Sequence, residues 1–402
     1  MSQPFRAVPV TENVYWVGAV DWDVRNFHGY LTSKGTTYNA YLVMAEKITL
    51  FDTVKAPFFD EMLARIASVV DPGKIDYLVS NHAEMDHSGS LPRTIAAVKP
   101  EKVFASANGA KALKAHFHLE EEIAALKTGD TLDLGGVTLS FVETKMVHWP
   151  DSMVTYVPEE KALISQDAFG MHLASCERFA DQHPKDVLQT EAKKYYANIL
   201  MHLSGVIAKN VTALTGMGLD IEAILPDHGP VWREDPAQIV KQYLEWTKLA
   251  AGPKVVVVYD SMWHSTAKMA RVIADAVHAE GLCVREMPLT DSHRSDVATE
   301  LMDAGALIVG SPTMNNQMFP TVADCLTYLK GLRPKNMVGA AFGSYGWSGE
   351  APKLIQAELD AMKLPQAAEP LRIQFVPDDA ALGQCREFGA SVTRKTAELL
   401  GT

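Results

Sequence analysis

The chain has 402 residues, enough for two or three domains, and its 47% hydrophobic and 21% charged content is that of an ordinary globular protein. A formal net charge of -12 with no run of Lys and Arg argues against a nucleic-acid partner, because phosphate neutralisation needs a basic surface. No stretch approaches a membrane span and residues 1–6 carry no apolar segment behind a basic start, so a cytoplasmic location is expected; the four scattered cysteines, Cys176, Cys283, Cys325 and Cys385, suggest buried or inert thiols, not disulfides or a CxxC metal site.

In chain order, residues 14–20 read as a strand followed by a polar-aromatic stretch ending at His28, Gly29 and Tyr30. Residues 37–43 and 48–52 read as paired strands, since β-branched and aromatic residues dominate them. Phe59, Met62, Leu63, Ile66 and Val70 recur at helical spacing over 57–70, and the apolar run 75–79 reads as a buried strand. That strand runs into His82, Glu84, Asp86 and His87, four potential metal ligands within six residues, expected on a turn that Gly89 and Pro92 lead out of. Exposed carboxylates need no such clustering, and buried ones would repel unless a cation or proton lay between them.

Further on, helices are expected over 92–98 and 108–117 with a strand between them at 102–105. Residues 131–141 alternate about Gly135-Gly136 as a hairpin, its second strand running on to His148 before Pro150. The strand 162–165 ends at Gln166-Asp167, a helical region covers 184–203, and the strand 223–226 ends at Asp227-His228-Gly229. A His or Asp at one strand end is an ordinary cap or turn residue; four such ends in series are not.

These residues resemble the metallo-β-lactamase superfamily, an αββα sandwich with metal ligands on loops at one edge. Its hydrolases carry H-x-H-x-D-H, and here Glu84 replaces the middle His. With His148, Asp167 and His228 the pattern is similar to that of flavodiiron proteins, in which this replacement accompanies iron instead of zinc. A further carboxylate hardens the site and adds negative charge, which favours iron over a mostly imidazole zinc site. The resemblance implies that His82, Glu84 and His148 hold one iron, that Asp86, His87 and His228 hold the other, and that Asp167 bridges them. It also implies that His28, Trp149, Tyr195 and Tyr196 shape the pocket or supply protons, with plain core packing the competing role for both tyrosines.

After a composition break at 250–253 the grammar changes. Residues 254–260 form a near-continuous apolar run, and further strands are expected near 283–289, 305–311, 338–344 and 371–376, alternating with helices. This is a five-stranded doubly wound pattern, and the division is expected at 1–252 and 253–402. Three loops follow strand ends: Ser261, Met262, Trp263, His264, Ser265 and Thr266; Pro312, Thr313, Met314, Asn315 and Asn316 after Ser311; and Ser344, Tyr345, Gly346, Trp347, Ser348 and Gly349 after Gly343. The first is rich in hydroxyls, lacks Lys and Arg, and opens a helix, which suits a phosphate held by backbone N–H groups. It resembles the FMN-phosphate loop of flavodoxins, and Trp347 is placed either to stack on the flavin ring or to pack in the core.

The fold expected is therefore a metallo-β-lactamase-like αββα sandwich followed by a flavodoxin-like parallel sheet. FMN and two Fe(II) together hold four electrons, matching reduction of O2 to two waters, while joining two NO into N2O needs two. The resemblance implies those reactions, a separate electron donor (a rubredoxin-like protein or reduced deazaflavin), and a head-to-tail homodimer or dimer of dimers. Two other readings are a binuclear zinc hydrolase with an accessory flavodoxin domain, and a non-enzymatic flavin electron carrier or redox sensor.

Overall fold

The computed structural model describes residues 5–402, so the first four residues of the N-terminal stretch read above lie outside the described residues. The described chain divides into two compact units. One runs to His28 and takes in Thr32–Tyr195 and Gly205–Leu244; the other comprises Gly29–Leu31, Tyr196–Ser204 and Glu245–Thr402. No helix of the described residues is long and apolar enough to cross a membrane.

The first unit is built on two sheets. A seven-stranded sheet orders Val8–Pro9, Val14–Trp16, Tyr41–Val43, Thr49–Phe51, Tyr77–Ser80, Lys102–Ser106 and Ile123–Leu126; a five-stranded sheet orders Thr131–Asp133, Thr138–Glu143, Met153–Val157, Ala162–Gln166 and Ala223–Pro226. Side chains alternate across a strand, and the packing follows that alternation. Tyr41, Val43, Phe51 and Val79 enter one core with Leu139, Phe141, Ile164 and Leu225 of the other sheet. Their neighbours Leu42, Leu50 and Leu78 turn the opposite way, onto Phe59, Met62, Ile66, Leu91 and Ile95 of the helices Phe59–Ala67 and Leu91–Val98. This is the expected αββα sandwich.

Several local expectations change. The stretch with the clustered ligands is not a plain turn: Met85–Ser88 makes one helical turn with Glu84 at its N-cap, so Asp86 and His87 sit on helix. The strand leading to His148 stops at Glu143, and His148 stands in the turn beyond it. The helical region ends its α-helix at Tyr195 and continues as a π-helical segment, Tyr196–Leu200. The sequence reading also missed the strands Ile123–Leu126 and Met153–Val157 and the helices Ser204–Gly216 and Ala237–Thr247. Ser204–Gly216 carries two glycines and several β-branched residues, so its intrinsic helix propensity is low and tertiary packing decides. All four cysteines are free thiols, Cys325 and Cys385 buried and Cys176 and Cys283 exposed.

The second unit holds an all-parallel sheet in the order Cys283–Pro288, Lys254–Tyr259, Ala306–Gly310, Val338–Tyr345 and Leu371–Gln374. Val255 and Val257 pack on one face against Ile273 and Val277 of the helix Ser265–Ala279 and Val392 of Asp379–Leu400. Val256 and Val258 are equally buried on the other face, which is why the strand reads as a continuous apolar run. The order reverses beside Lys254–Tyr259, so the crevice for a ligand opens past its C-terminal end.

Gly89 follows the ligand-bearing helical turn so closely that a Cβ there would lie 2.3 Å from the Met85 carbonyl oxygen and 3.0 Å from the Ala56 nitrogen. Backbone cannot retreat as a flexible side chain can, so Gly89→Ala is expected to destabilise the first unit by about 1–3 kcal/mol. Urea unfolding followed by near-ultraviolet circular dichroism checks this; an unchanged midpoint would count against the close approach.

Candidate functional site

Seven side chains from four segments converge at one edge of the sandwich. His82 and Glu84 follow the strand Tyr77–Ser80, Asp86 and His87 lie on the turn after it, His148 follows Thr138–Glu143, Asp167 follows Ala162–Gln166, and His228 follows Ala223–Pro226. One ligand atom from each of His82, Glu84, His148 and Asp167 can be chosen so that all lie within 4.8 Å of one another, and Asp86, His87 and His228 form a second such group. Asp167 faces both. Its Oδ2 is 3.0 Å from His148 Nε2 and 3.4 Å from His82 Nε2, while its Oδ1 is 3.1 Å from His87 Nε2 and 3.4 Å from His228 Nε2. Glu84 Oε2 closes the first group, 3.2 Å from His148 Nε2, and Asp86 Oδ2 closes the second, 3.1 Å from His228 Nε2.

The electrostatics call for cations. Both Asp86 oxygens, Asp167 Oδ1 and His87 Nε2 are buried without a hydrogen-bond partner although they converge, and leaving such groups unsatisfied is costly. Burial alone would lower the pKa of His82, yet hydrogen bonds to Asp151 and Glu84 drive it well above the ordinary imidazole value. Burial likewise opposes charge on His87, and the carboxylates of Asp86, Asp167 and Asp227 overcome it. Asp227 is itself pushed well above the carboxylate range, by burial and then by Asp52. The metal-free chain thus concentrates more carboxylate than it can balance except by holding protons. Two polyvalent cations relieve that excess, and the nitrogen and carboxylate donors suit non-haem iron. The residues fit an iron pair.

The outward-facing nitrogens of His82 and His228 are hydrogen-bonded, and that of His87 is not. His82 Nδ1 donates to Asp151 Oδ2 at 3.1 Å, His228 Nδ1 donates to the Thr37 carbonyl at 2.6 Å, and His87 Nδ1 lies 3.5 Å from Asp227 Oδ2. Such partners fix the tautomer and leave Nε2 for a metal. Asp52 accepts from the Asn81 and His82 backbone N–H groups, its carboxyl pushed up to about 6, chiefly by burial. The sequence reading assigned no role to Asp52, Asp151 or Asp227. The visible signal was position: Asp151 ends the His148-Trp149-Pro150 run and Asp227 precedes His228. His172, buried with its Nδ1 2.8 Å from Thr36 Oγ1 and its ring 4.7 Å from that of His228, had no comparable signal.

Around this cluster the other candidates separate. His28 Nε2 is 2.7 Å from Glu84 Oε1, and although burial opposes it, Glu84 raises the pKa of that imidazole. Trp149 stands edge-on to His82 with centroids 5.3 Å apart. The Tyr195 ring lies 5.1 Å from His172 and 6.1 Å from His228. Tyr196 belongs to the second unit, its hydroxyl 3.0 Å from Ser204 Oγ and its ring 5.4 Å from Trp246. A cavity of about 390 Å³ opens beside Phe27, His28, Lys55, Glu84 and Asp86. Lys55 places a cationic side chain beside this cavity, its amine over the rings of Phe27 and Tyr38 at 5.6 and 5.7 Å.

In the second unit the three loops meet at the C-terminal edge of the sheet. The helix Ser265–Ala279 begins after His264, which has a left-handed backbone and makes no side-chain cap; the Ala267 N–H donates to Ser261 Oγ at 3.3 Å, and a phosphate would be held by the first-turn N–H groups together with that hydroxyl. Ser261 and Ser265 flank this end, and Thr266 Oγ1 meets Ser344 Oγ at 2.8 Å. Asn315 and Asn316 both take left-handed conformations, and Ser348 Oγ donates to Asn316 Oδ1 at 3.3 Å, tying the second loop to the third. Gly343 lets the sheet close: a Cβ there would sit 2.1 Å from the Ser311 carbonyl oxygen. Met262 is exposed, and Trp263 and Trp347 are 80% and 90% exposed, so Trp347 does not pack in the core and both indole faces are free to cover a planar ring. These features fit FMN.

Comparison with known proteins agrees with both halves. A family model described as ODP family beta lactamase matches residues 36–229, and a Flavodoxin model matches residues 257–389. The nitric oxide reductase of Moorella thermoacetica is 45% identical over 99% of this chain and 100% of its own. The solved rubredoxin oxygen:oxidoreductase of the anaerobe Desulfovibrio gigas superposes with a TM-score of 0.96 at 46% identity, covering 99% of this chain and 100% of that one. The flavodiiron protein of Giardia intestinalis gives a TM-score of 0.94 at 35% identity over 98% of this chain and 97% of that one. With both domain models matched and relatives of this similarity spanning nearly its whole length, the chain belongs to the flavodiiron protein family.

Proposed function

We infer that this chain reduces O2 to water, NO to N2O, or both, at a pair of non-haem irons supplied with electrons by FMN. The observation that carries the reading is Asp167, whose two oxygens face two separate ligand groups. When bound, the irons offer binding positions for a diatomic gas and electrons singly, and FMN offers electrons in pairs. His82, Glu84 and His148 would hold one iron, Asp86, His87 and His228 the other, and Asp167 both. The functional division is proposed at 1–252 and 253–402.

The remaining residues prepare the pocket. His28, part-exposed and hydrogen-bonded through Nε2 to Glu84, is positioned to bring protons from solvent to the cavity. Tyr195 and Trp149 bound the cluster with apolar ring surface and limit water around it; for Tyr196 the described surroundings support packing. Ser261, Ser265, Thr266 and the helix N-terminus would hold the FMN phosphate, while Thr313 to Asn316 and Ser344 to Gly349 would border the ring, with Trp263 and Trp347 over its faces.

Relatives named as rubredoxin-oxygen oxidoreductase and anaerobic nitric oxide reductase flavorubredoxin support these substrates and a rubredoxin-type donor. We propose a separate rubredoxin-like protein as that donor, with reduced deazaflavin as the other candidate, and a head-to-tail homodimer or dimer of dimers in the cytoplasm. A zinc hydrolase is not favoured, because Glu84 stands where the hydrolase pattern has His and the matched relatives are reductases. The deciding experiment is anaerobic reduction followed by stopped-flow mixing with O2 and, separately, NO. Rapid flavin reoxidation by at least one gas is expected; slow reoxidation by both would leave only an electron carrier.

Asp167→Ala is expected to abolish gas reduction and bring iron well below two per chain while FMN stays bound, read by metal analysis and visible absorbance. Two irons with normal turnover would remove the bridging role. Glu84→His should shift metal selection toward zinc by making the site softer and less anionic, checked by loading with equal iron and zinc. For assembly, Asp167→Ala chains co-expressed with chains whose FMN loops are disabled should regain roughly a quarter of wild-type activity if flavin and irons face one another across a two-fold dimer. Verified heterodimers without activity would refute that arrangement.

A further inference from the structure

The backbone on both sides of Asp167 is held in a conformation its residues disfavour. Gln166 and Phe169 have φ of +49° and +69°, the left-handed region that bulky side chains seldom adopt and that persists only where surroundings impose it. Gln166 is tied from within the site: its amide donates to the Val147 carbonyl and its Oε1 accepts from the Asp167 N–H at 2.7 Å. Phe169 is tied from outside. Its N–H donates to Tyr243 Oη at 2.9 Å, and its carbonyl accepts from Trp232 Nε1 at 2.9 Å.

Both anchors are remote in sequence and carry no metal-site residue. Tyr243 lies on the helix Ala237–Thr247, fully buried, its ring 4.7 Å from that of Phe169; Trp232 lies on a short bridge paired with Ile224. The Phe169 side chain is buried, its ring against that of Tyr243, and it borders an apolar cavity of about 370 Å³ with Leu163, Leu214, Ile224 and Val240. Beyond the corner the chain runs close to other backbone: a Cβ at Gly170 would lie 3.0 Å from the His228 carbonyl oxygen and 3.3 Å from that of Asp167.

We propose that Tyr243 and Trp232 are positioning residues for the metal pair: by binding both polar backbone groups of Phe169 they keep its left-handed corner closed and hold the Asp167 carboxylate where each oxygen faces one ligand group. Neither touches substrate or metal. Loss of the Tyr243 hydroxyl leaves the buried Phe169 N–H without its acceptor, and relaxation of φ at Phe169 displaces Asp167 two residues upstream. The proposal rests on Asp167 as the bridge in the function inferred above.

The test uses full-length Tyr243→Phe and Trp232→Phe, each loaded anaerobically with Fe(II). Both should keep FMN and lose iron to a chelator about tenfold more readily than the wild type, in line with one buried group left unsatisfied. The mixed-valent pair should also show an altered electron paramagnetic resonance signal, which a loss of general stability would not produce. Glycine takes the left-handed corner without strain, so Tyr243→Phe should cost less iron retention in a Phe169→Gly background, a coupling read from the double-mutant cycle. Equal cost in both backgrounds overturns the proposal, as does wild-type iron retention with an unchanged signal in both single variants. If Tyr243→Phe does not fold, Trp232→Phe decides by the same two readouts. A wild type that binds no iron pair would instead refute the function inferred above and is distinguishable at once.

Discussion

The constraint on which the first unit depends is a concentration of negative charge at one edge. Glu84, Asp86 and Asp167 converge there with Asp52, Asp151 and Asp227 close behind, around four imidazoles. Carboxylates buried so near one another repel, and burial costs each its hydration. Without cations that crowding shifts the affinity for protons upward at His82, His87 and Asp227. With cations the clustered His, Asp and Glu side chains would become ligands, and their binding free energy would become part of the unit's stability.

The sandwich makes that concentration tolerable by spreading its supply over rigid elements. Each ligand segment leaves a strand whose side chains are locked in a shared core, so a ligand cannot swing away without lifting a strand end. Beside the ligands, His28, Asp52, Met146, Gln166 and Phe169 have positive φ, as do residues elsewhere in the chain. Residues in such conformations need surroundings that over-determine them, and at Gln166 and Phe169 hydrogen bonds made by the Gln166 amide, to Tyr243 and from Trp232 provide that determination.

The second unit solves a different problem with little charge. Its strands are buried on both faces, and everything that recognises a ligand lies in loops at their C-terminal ends. A hydroxyl-lined helix N-terminus suits a phosphate, and exposed indoles suit a planar ring. The metal edge binds by charge and coordination; this edge binds by backbone N–H groups and aromatic surface. A chain combining the two would hold a cofactor that takes up electrons in pairs at one edge and metals that supply them singly to a gas at the other.

The ligand types, their spacing and the change of grammar near residue 250 are local properties, and the sequence by itself determined them. His82, Glu84, Asp86 and His87 fall within six residues, and the period-two and all-apolar strands announce the two kinds of sheet. Glu84 alone separates the chain from the hydrolase pattern. What tertiary structure decided is everything that depends on meeting at a distance. Asp167 can be named as a candidate from its strand end, but that its two oxygens divide between the two ligand groups is a fact about four segments brought together. Asp151 and Asp227 matter only because folding puts them against His82 and His87, and Tyr243 because its helix returns to Phe169 across 74 residues. Periodicity records which face of an element is buried; it does not record which buried polar atoms will be each other's partners, because those pairs are set by packing between elements.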